Sequence, residues 1–141
     1  MRTLSLERIR LKYKTKGTFT NITKDIEVDI ENGICVIFTP HTTCGVKILE
    51  DESLLVRDME SFLERIAPKC GVYAHDDIEK RDVPPTERIN GYSHIRAMVL
   101  PQSLTVPVKD GKLTLGKWQS IFLIELDGNR EREVIVKCIQ Q

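Results

Sequence analysis

The chain has 141 residues, 40% of them hydrophobic and 30% charged, and its 21 Lys+Arg balance 21 Asp+Glu. That length suits a single domain, 1–141, with a real core. Zero net charge gives no field that would draw it to nucleic acid or an anionic membrane, and no stretch approaches the ~18 consecutive apolar residues of a membrane helix.

Thr3–Leu11 alternates apolar and polar residues and predicts a strand with one buried face. The same alternation, in place of a signal peptide's apolar block, predicts a cytoplasmic protein. Asn21 can cap a short helix in which Ile22, Ile26 and Ile30 fall on one face and Gly33 ends the element. Ile34–Phe38 is a continuous apolar run and predicts a buried strand, and Gly45–Leu49 continues the sheet. Ser53–Ile66 carries the clearest helical stripe, formed by Leu54, Leu55, Met59, Phe62, Leu63 and Ile66, and Pro68 stops it. Residues 72–90 form a long polar loop, a common home for function. Further strands are predicted over His94–Leu100, Leu104–Val108, Gln119–Leu126 and Arg132–Ile139, with a hairpin turn at Asp110-Gly111. Two helices and six or seven strands, the strands mostly late in the chain, make an α+β fold with a mostly antiparallel sheet.

None of Cys35, Cys44, Cys70 and Cys138 falls in a C-x-x-C pair, so a thiolate zinc site is not expected. With no secretion signal, disulfides are not expected either. Cys35 and Cys138, inside apolar runs, read as small buried hydrophobes. Cys44, three residues from His41, is either a nucleophile or a small residue packed in a tight loop.

The only three histidines, His41, His75 and His94, all lie in polar, punctuated sequence. Brought together by the fold, they would give a catalytic-type site for zinc or a similar divalent metal. Glu125 and Asp127 leave a buried strand on the same face, since strand side chains repeat every two residues; each suits a metal-ligand or acid–base role. Arg130 and Arg132 carry the planar fork that fits phosphate or carboxylate. The single tryptophan, Trp118, sits beside Gly116 and could wall a flat ligand. The chain lacks a phosphate-cradling glycine loop, a G-x-S-x-G elbow and a dinucleotide fingerprint.

Three motifs occur in order: Pro40-His41-Thr42-Thr43-Cys44-Gly45, Asn90-Gly91-Tyr92-Ser93-His94, and Leu115-Gly116-Lys117-Trp118-Gln119 followed by Asp127-Gly128-Asn129-Arg130-Glu131-Arg132. Together they resemble the YjbQ-like family, described as secondary thiamine-phosphate synthases, over essentially the whole chain. Departures are Cys44 where the family more often has alanine, Leu49-Glu50-Asp51-Glu52 in place of a more Asn-rich stretch, and Leu100-Pro101 where glycine is common. The resemblance implies an α+β homotrimer with a pocket near the subunit boundary that gathers His41, Thr42, Thr43, His75, Asn90, His94, Gln119, Glu125, Asp127 and Arg130. It also implies joining of a pyrimidine diphosphate to a thiazole phosphate. His41, Thr42, Thr43, Glu125 and Asp127 would then be catalytic, and Asn90, Trp118, Gln119, Arg130 and Arg132 would bind substrate. His41, His75 and His94 would hold the metal, with magnesium entering where a diphosphate is bound. Two other readings use the same pocket: a metal-dependent hydrolase or lyase of a small phosphorylated metabolite, and a trimeric binding module without turnover.

Overall fold

The computed structural model describes residues 10–141, so most of the strand expected from Thr3 lies outside the described residues. Eight strands and two helices follow in the order β1 (Arg10–Lys14), β2 (Phe19–Asn21), β3 (Gly33–Phe38), β4 (Cys44–Leu49), α1 (Ser53–Ile66), α2 (Gly91–Ala97), β5 (Ser103–Lys109), β6 (Lys112–Leu113), β7 (Ser120–Glu125) and β8 (Glu131–Gln140). They form a five-stranded sheet, β1-β8-β3-β5-β6, and a three-stranded sheet, β2-β7-β4. Every pairing is antiparallel. The α+β expectation holds. No helix among the described residues is long and apolar enough to cross a membrane.

Two apolar layers explain why β7 is one unbroken hydrophobic run. Ile121 and Leu123 face the main core with Ile37, Val46, Val106, Val134 and Val136. Phe122 and Ile124 face the opposite way, into a second core with Leu63 of α1 and with Phe19, Leu49, Ala97 and Leu100. A strand covered on both faces carries no alternation.

α1 starts and ends at the predicted residues. The Glu52 carboxylate accepts from the Leu54 and Leu55 N–H groups and closes its N-terminus. The Asp110-Gly111 hairpin also forms, with φ of 52° and 76°, the left-handed pair a tight turn between β5 and β6 requires.

Gly45–Leu49 is a strand as expected but joins the three-stranded sheet and does not continue that of β3. Two elements differ in type from expectation. Residues 22–30 form no α-helix; only a 3₁₀ turn, Thr23–Asp25, interrupts an extended chain. The Asn21 side chain accepts from the Thr23 N–H and hydroxyl, which closes a local turn. Asp25-Ile26-Glu27-Val28-Asp29-Ile30 also alternates with period two, and in that form Ile26, Val28 and Ile30 all reach the main core. The second difference is His94–Leu100, which is not a strand: α2 and a turn occupy it. Helical spacing sends Ala97 and Leu100 to the second core, while Met98 remains 80% exposed.

A third correction concerns the cysteines. Cys35 and Cys138 face each other in the β3–β8 register and are joined as a disulfide. Redox compartment argued for free thiols, but register decides which sulfurs meet. Cys44 and Cys70 are free.

Candidate functional site

The polar centre of the molecule lies where β7 exits and turns into β8. Glu125 closes β7; Asp127 follows on the same side; Gly128 turns the chain at φ 74°. Both carboxylates are almost fully buried, so each needs a partner.

Glu125 takes a two-pronged bond from Arg132, with Nε and Nη2 each 2.6 Å from a carboxylate oxygen. Thr15 Oγ1 and the Asp127 N–H also donate to it. Arg132 Nη2 donates to Thr43 Oγ1 at 2.7 Å. Arg132 is 3% exposed, so the guanidinium predicted to bind substrate is instead spent inside the fold. Thr43 is buried with it, and Thr42 is exposed on the same turn.

Asp127 gathers a different set. Arg88 donates from Nε and Nη2 at 3.2 Å, Asn90 from Nδ2 at 2.7 Å, and Arg130 from Nη1 at 2.9 Å. Burial alone would raise the Asp127 pKa; the bonds from Arg88 and Asn90, the Arg88 charge and the Arg130 bond outweigh it and hold the carboxyl below its ordinary value. Asp127 is therefore a fixed anion that orients two guanidiniums. Arg88 and Arg130 are about half exposed, and both keep N–H groups not used on Asp127. Arg88 was not anticipated. It lies in the polar 72–90 loop, and only Asn90 two residues later hinted at its role.

α2 is docked onto this centre. Ser93 Oγ donates to the Leu126 carbonyl, and Asp76 Oδ1 accepts from the Gly91 N–H. A Cβ at Gly91 would come within 2.6 Å of Tyr73 Cβ and 2.8 Å of Asp76 Oδ1, which explains the glycine in Asn90-Gly91-Tyr92. The docking sets the His94 ring 4.6 Å from that of His75, edge to face. Burial and the neighbouring His75 lower the His94 pKa and favour its neutral form.

His41 stands apart from that pair. β3 ends at Phe38, and the following loop completes the β8 edge: Thr39 Oγ1 donates to the Glu133 carbonyl and His41 Nε2 accepts from the Glu133 N–H at 2.9 Å. The ring lines a depression of about 440 Å³ with Lys12, Tyr13, Lys14, Glu131, Arg132 and Glu133. Burial and Arg132 lower its pKa. With Nε2 accepting, a neutral ring carries its proton on Nδ1, which leaves neither nitrogen free for a metal. Within this chain the residues thus do not fit the predicted three-histidine centre. Among the described residues no group of three or more His, Cys, Asp and Glu is arranged to hold a metal ion.

Beneath the loop, Cys44 is fully buried with its sulfur 3.1 Å from Thr39 Oγ1. Burial pushes the thiol pKa up, the reverse of what a nucleophile needs, and favours the packed-residue alternative. Trp118 is 66% exposed with the Lys117 ammonium 5.0 Å from its ring centre, and Gln119 braces its own loop by accepting from the Gly116 N–H. Neither lines the His41 depression nor bonds to the Asp127 cluster.

Fold and site together define a small α+β protein, with two antiparallel sheets, that builds a buried carboxylate–arginine centre at the end of its most buried strand. The chain belongs to the YjbQ-like UPF0047 family, whose model, UPF0047 protein YjbQ-like, matches residues 7–141. A UPF0047 protein of Archaeoglobus fulgidus is 36% identical over 133 residues, 93% of this chain and 98% of the relative. One from Methanocaldococcus jannaschii is 39% identical over 140 residues, 95% and 94% of the two chains. The crystal structure of an uncharacterized yjbq/upf0047 protein from Clostridium acetobutylicum superposes with a TM-score of 0.80 at 34% identity, covering 93% of this chain and 99% of that one.

Proposed function

We propose that this chain is an enzyme of phosphorylated-metabolite chemistry, and that its reaction is the one its motifs resemble: transfer of a pyrimidine methylene from its diphosphate to the ring nitrogen of a thiazole phosphate. The observation that carries this reading is the Asp127 cluster. One buried carboxylate holds Arg88 and Arg130 in place while part of each fork stays exposed. Such preorganised donors suit a charge that grows during reaction. In the transfer, the methylene C–O bond breaks, its electron pair leaves on pyrophosphate, and the nitrogen lone pair forms the new C–N bond. The two guanidiniums would stabilise the departing charge. Asp127, held ionised by its partners, is a positioning residue and not a proton carrier. A divalent ion accompanying the diphosphate, magnesium by its preference for oxygen, would add neutralisation there.

The hydrolase or lyase reading draws support from the His75–His94 pair, but catalytic zinc takes three protein ligands, and among the described residues no third ligand joins the pair. The purified protein is expected to release pyrophosphate and form thiamine phosphate from the two substrates with magnesium, read by mass spectrometry. Arg130→Gln is expected to lower kcat/KM by roughly 10²-fold, on the scale of one lost transition-state donor. Ligand-induced stabilisation without product rejects the transferase and leaves the binding module.

We further infer that the chain works as a homotrimer. Phe62 and Ile66 on α1, and Ile95, Met98 and Val99 at α2, are all exposed. Met59, Phe62, Val99 and Leu100 also line an apolar groove of about 170 Å³. An exposed apolar surface of this kind supports self-association. Light scattering after gel filtration is expected to give about three times 16.2 kDa, and Phe62→Glu with Met98→Glu a smaller species. A 16.2 kDa wild type rejects the assembly.

A further inference from the structure

A second cavity, of about 230 Å³, lies beside the β7 exit but uses different groups. Its walls include Gly17 and Thr18 of the β1–β2 loop, Gly128 and Asn129 of the β7–β8 turn, and Lys69 and Arg96. None of Arg88, Asn90, His94, Asp127 and Arg130 lines it. We propose that this cavity is a phosphoryl-binding site, separate from the Asp127 cluster.

Arg96 makes the case for a built site. Its side chain is 14% exposed and fixed from three directions. Nε donates to the Ala67 carbonyl at 2.9 Å, Nη2 donates to Glu64, and the guanidinium lies 4.9 Å from the centre of the Tyr92 ring. Those contacts leave Nη1 uncommitted, already oriented and at little entropic cost. Lys69, on the segment after α1, adds a point charge; among the described residues its ammonium has no carboxylate within ion-pair distance. Glu125 also borders the cavity, but Arg132, Thr15 and the Asp127 N–H already occupy its oxygens, so its charge is compensated. Arg96 is itself ion-paired with Glu64, so the unpaired positive charge at this spot is that of Lys69, on a molecule of zero net charge.

Shape selects among anions. Two glycines put backbone at the wall, where a group can approach without meeting a side chain; a Cβ at Gly17 would touch nothing within 4 Å. The volume is below the roughly 300–1,000 Å³ typical of whole-ligand pockets, which suits a single phosphoryl group over a nucleotide. Lys69, Arg96 and Asn129, from three separate segments of the chain, all line the space. That arrangement fits a tetrahedral anion with acceptors on all sides better than a planar carboxylate. The group could be free phosphate or the phosphate of a monoester; both present the same oxygens.

The test is a titration of the full chain with inorganic phosphate, and in parallel with methyl phosphate, at constant ionic strength, followed by amide NMR with acetate as control. Saturable shifts of Gly17, Gly128 and Asn129 are expected, retained in Arg130→Gln and weakened at least tenfold in Lys69→Glu. A stronger response to methyl phosphate identifies a monoester ligand, and an equal response the free ion. If the Gly17 and Asn129 resonances stay still, or Lys69→Glu binds as wild type does, the site does not exist. Because Arg130→Gln removes only the other cluster, loss of phosphate binding there alone would overturn this site and leave the proposed transferase standing.

Discussion

Glu125→Ala is expected to lower unfolding stability by about 3–5 kcal/mol, the usual cost of stranding one partner of a buried ion pair. For a chain of this size that is on the order of 10–20 °C in Tm. The cause is what remains. Arg132 is 3% exposed and loses both bonds to Glu125; only Thr43 is left to it, and Thr43 is neutral. Thr15 Oγ1 and the Asp127 N–H lose an acceptor at the same time. Replacing both partners, Glu125→Leu with Arg132→Met, removes the stranded charge and should recover most of the loss. Urea unfolding followed by circular dichroism measures all three proteins. A loss under 1 kcal/mol in the single variant would mean that water reaches Arg132 and that the pair is not buried in solution.

Most residues of this centre were legible in the sequence, Arg88 and Thr15 excepted, but their division of labour was not. Glu125 and Asp127 follow from strand periodicity, and both arrive on the same side as expected. Periodicity cannot say that Arg132 would turn inward to Glu125 while Arg130 and Arg88 take Asp127. That split depends on the Gly128 turn and on a loop 39 residues upstream. The histidines show the same limit. Each sits in polar sequence, which places it outside a core, yet His41 accepts from the backbone of β8 while His75 and His94 meet edge to face. Polar context identifies a side chain free of the apolar layers and says nothing about which others it meets.

The elements divide along similar lines. α1 has a stripe and a capping carboxylate, two local signals that agree. Residues 22–30 satisfied helical and extended spacing together, and the tertiary core settled the choice by accepting Ile26, Val28 and Ile30 from one extended face. His94–Leu100 is a short apolar run, a pattern that fits strand and helix equally. Docking decided it: Ser93 on Leu126 and Gly91 on Asp76 need the turn of a helix.

Reduction of the Cys35–Cys138 disulfide is expected to destabilise the chain by roughly 2–4 kcal/mol, because the link closes a loop with a sequence separation of 103 residues and so constrains the unfolded chain strongly. In denaturant without reductant, thiol titration should find two groups per chain, Cys44 and Cys70, and all four cysteines after reduction. Four thiols before reduction would dismiss the link. The urea midpoint of a Cys44→Ser, Cys70→Ser protein, with and without reductant, then gives its energetic weight. The loss should stay confined to stability. Cys138 lies toward the far end of β8 from Arg132, and the β7 exit is held by side-chain bonds of its own. Folded, reduced protein should therefore keep the Asp127 cluster and the proposed transfer activity, while unfolding at lower urea. If reduction abolished activity below the unfolding midpoint, the β3–β8 link would be shaping the site as well as stapling the sheet.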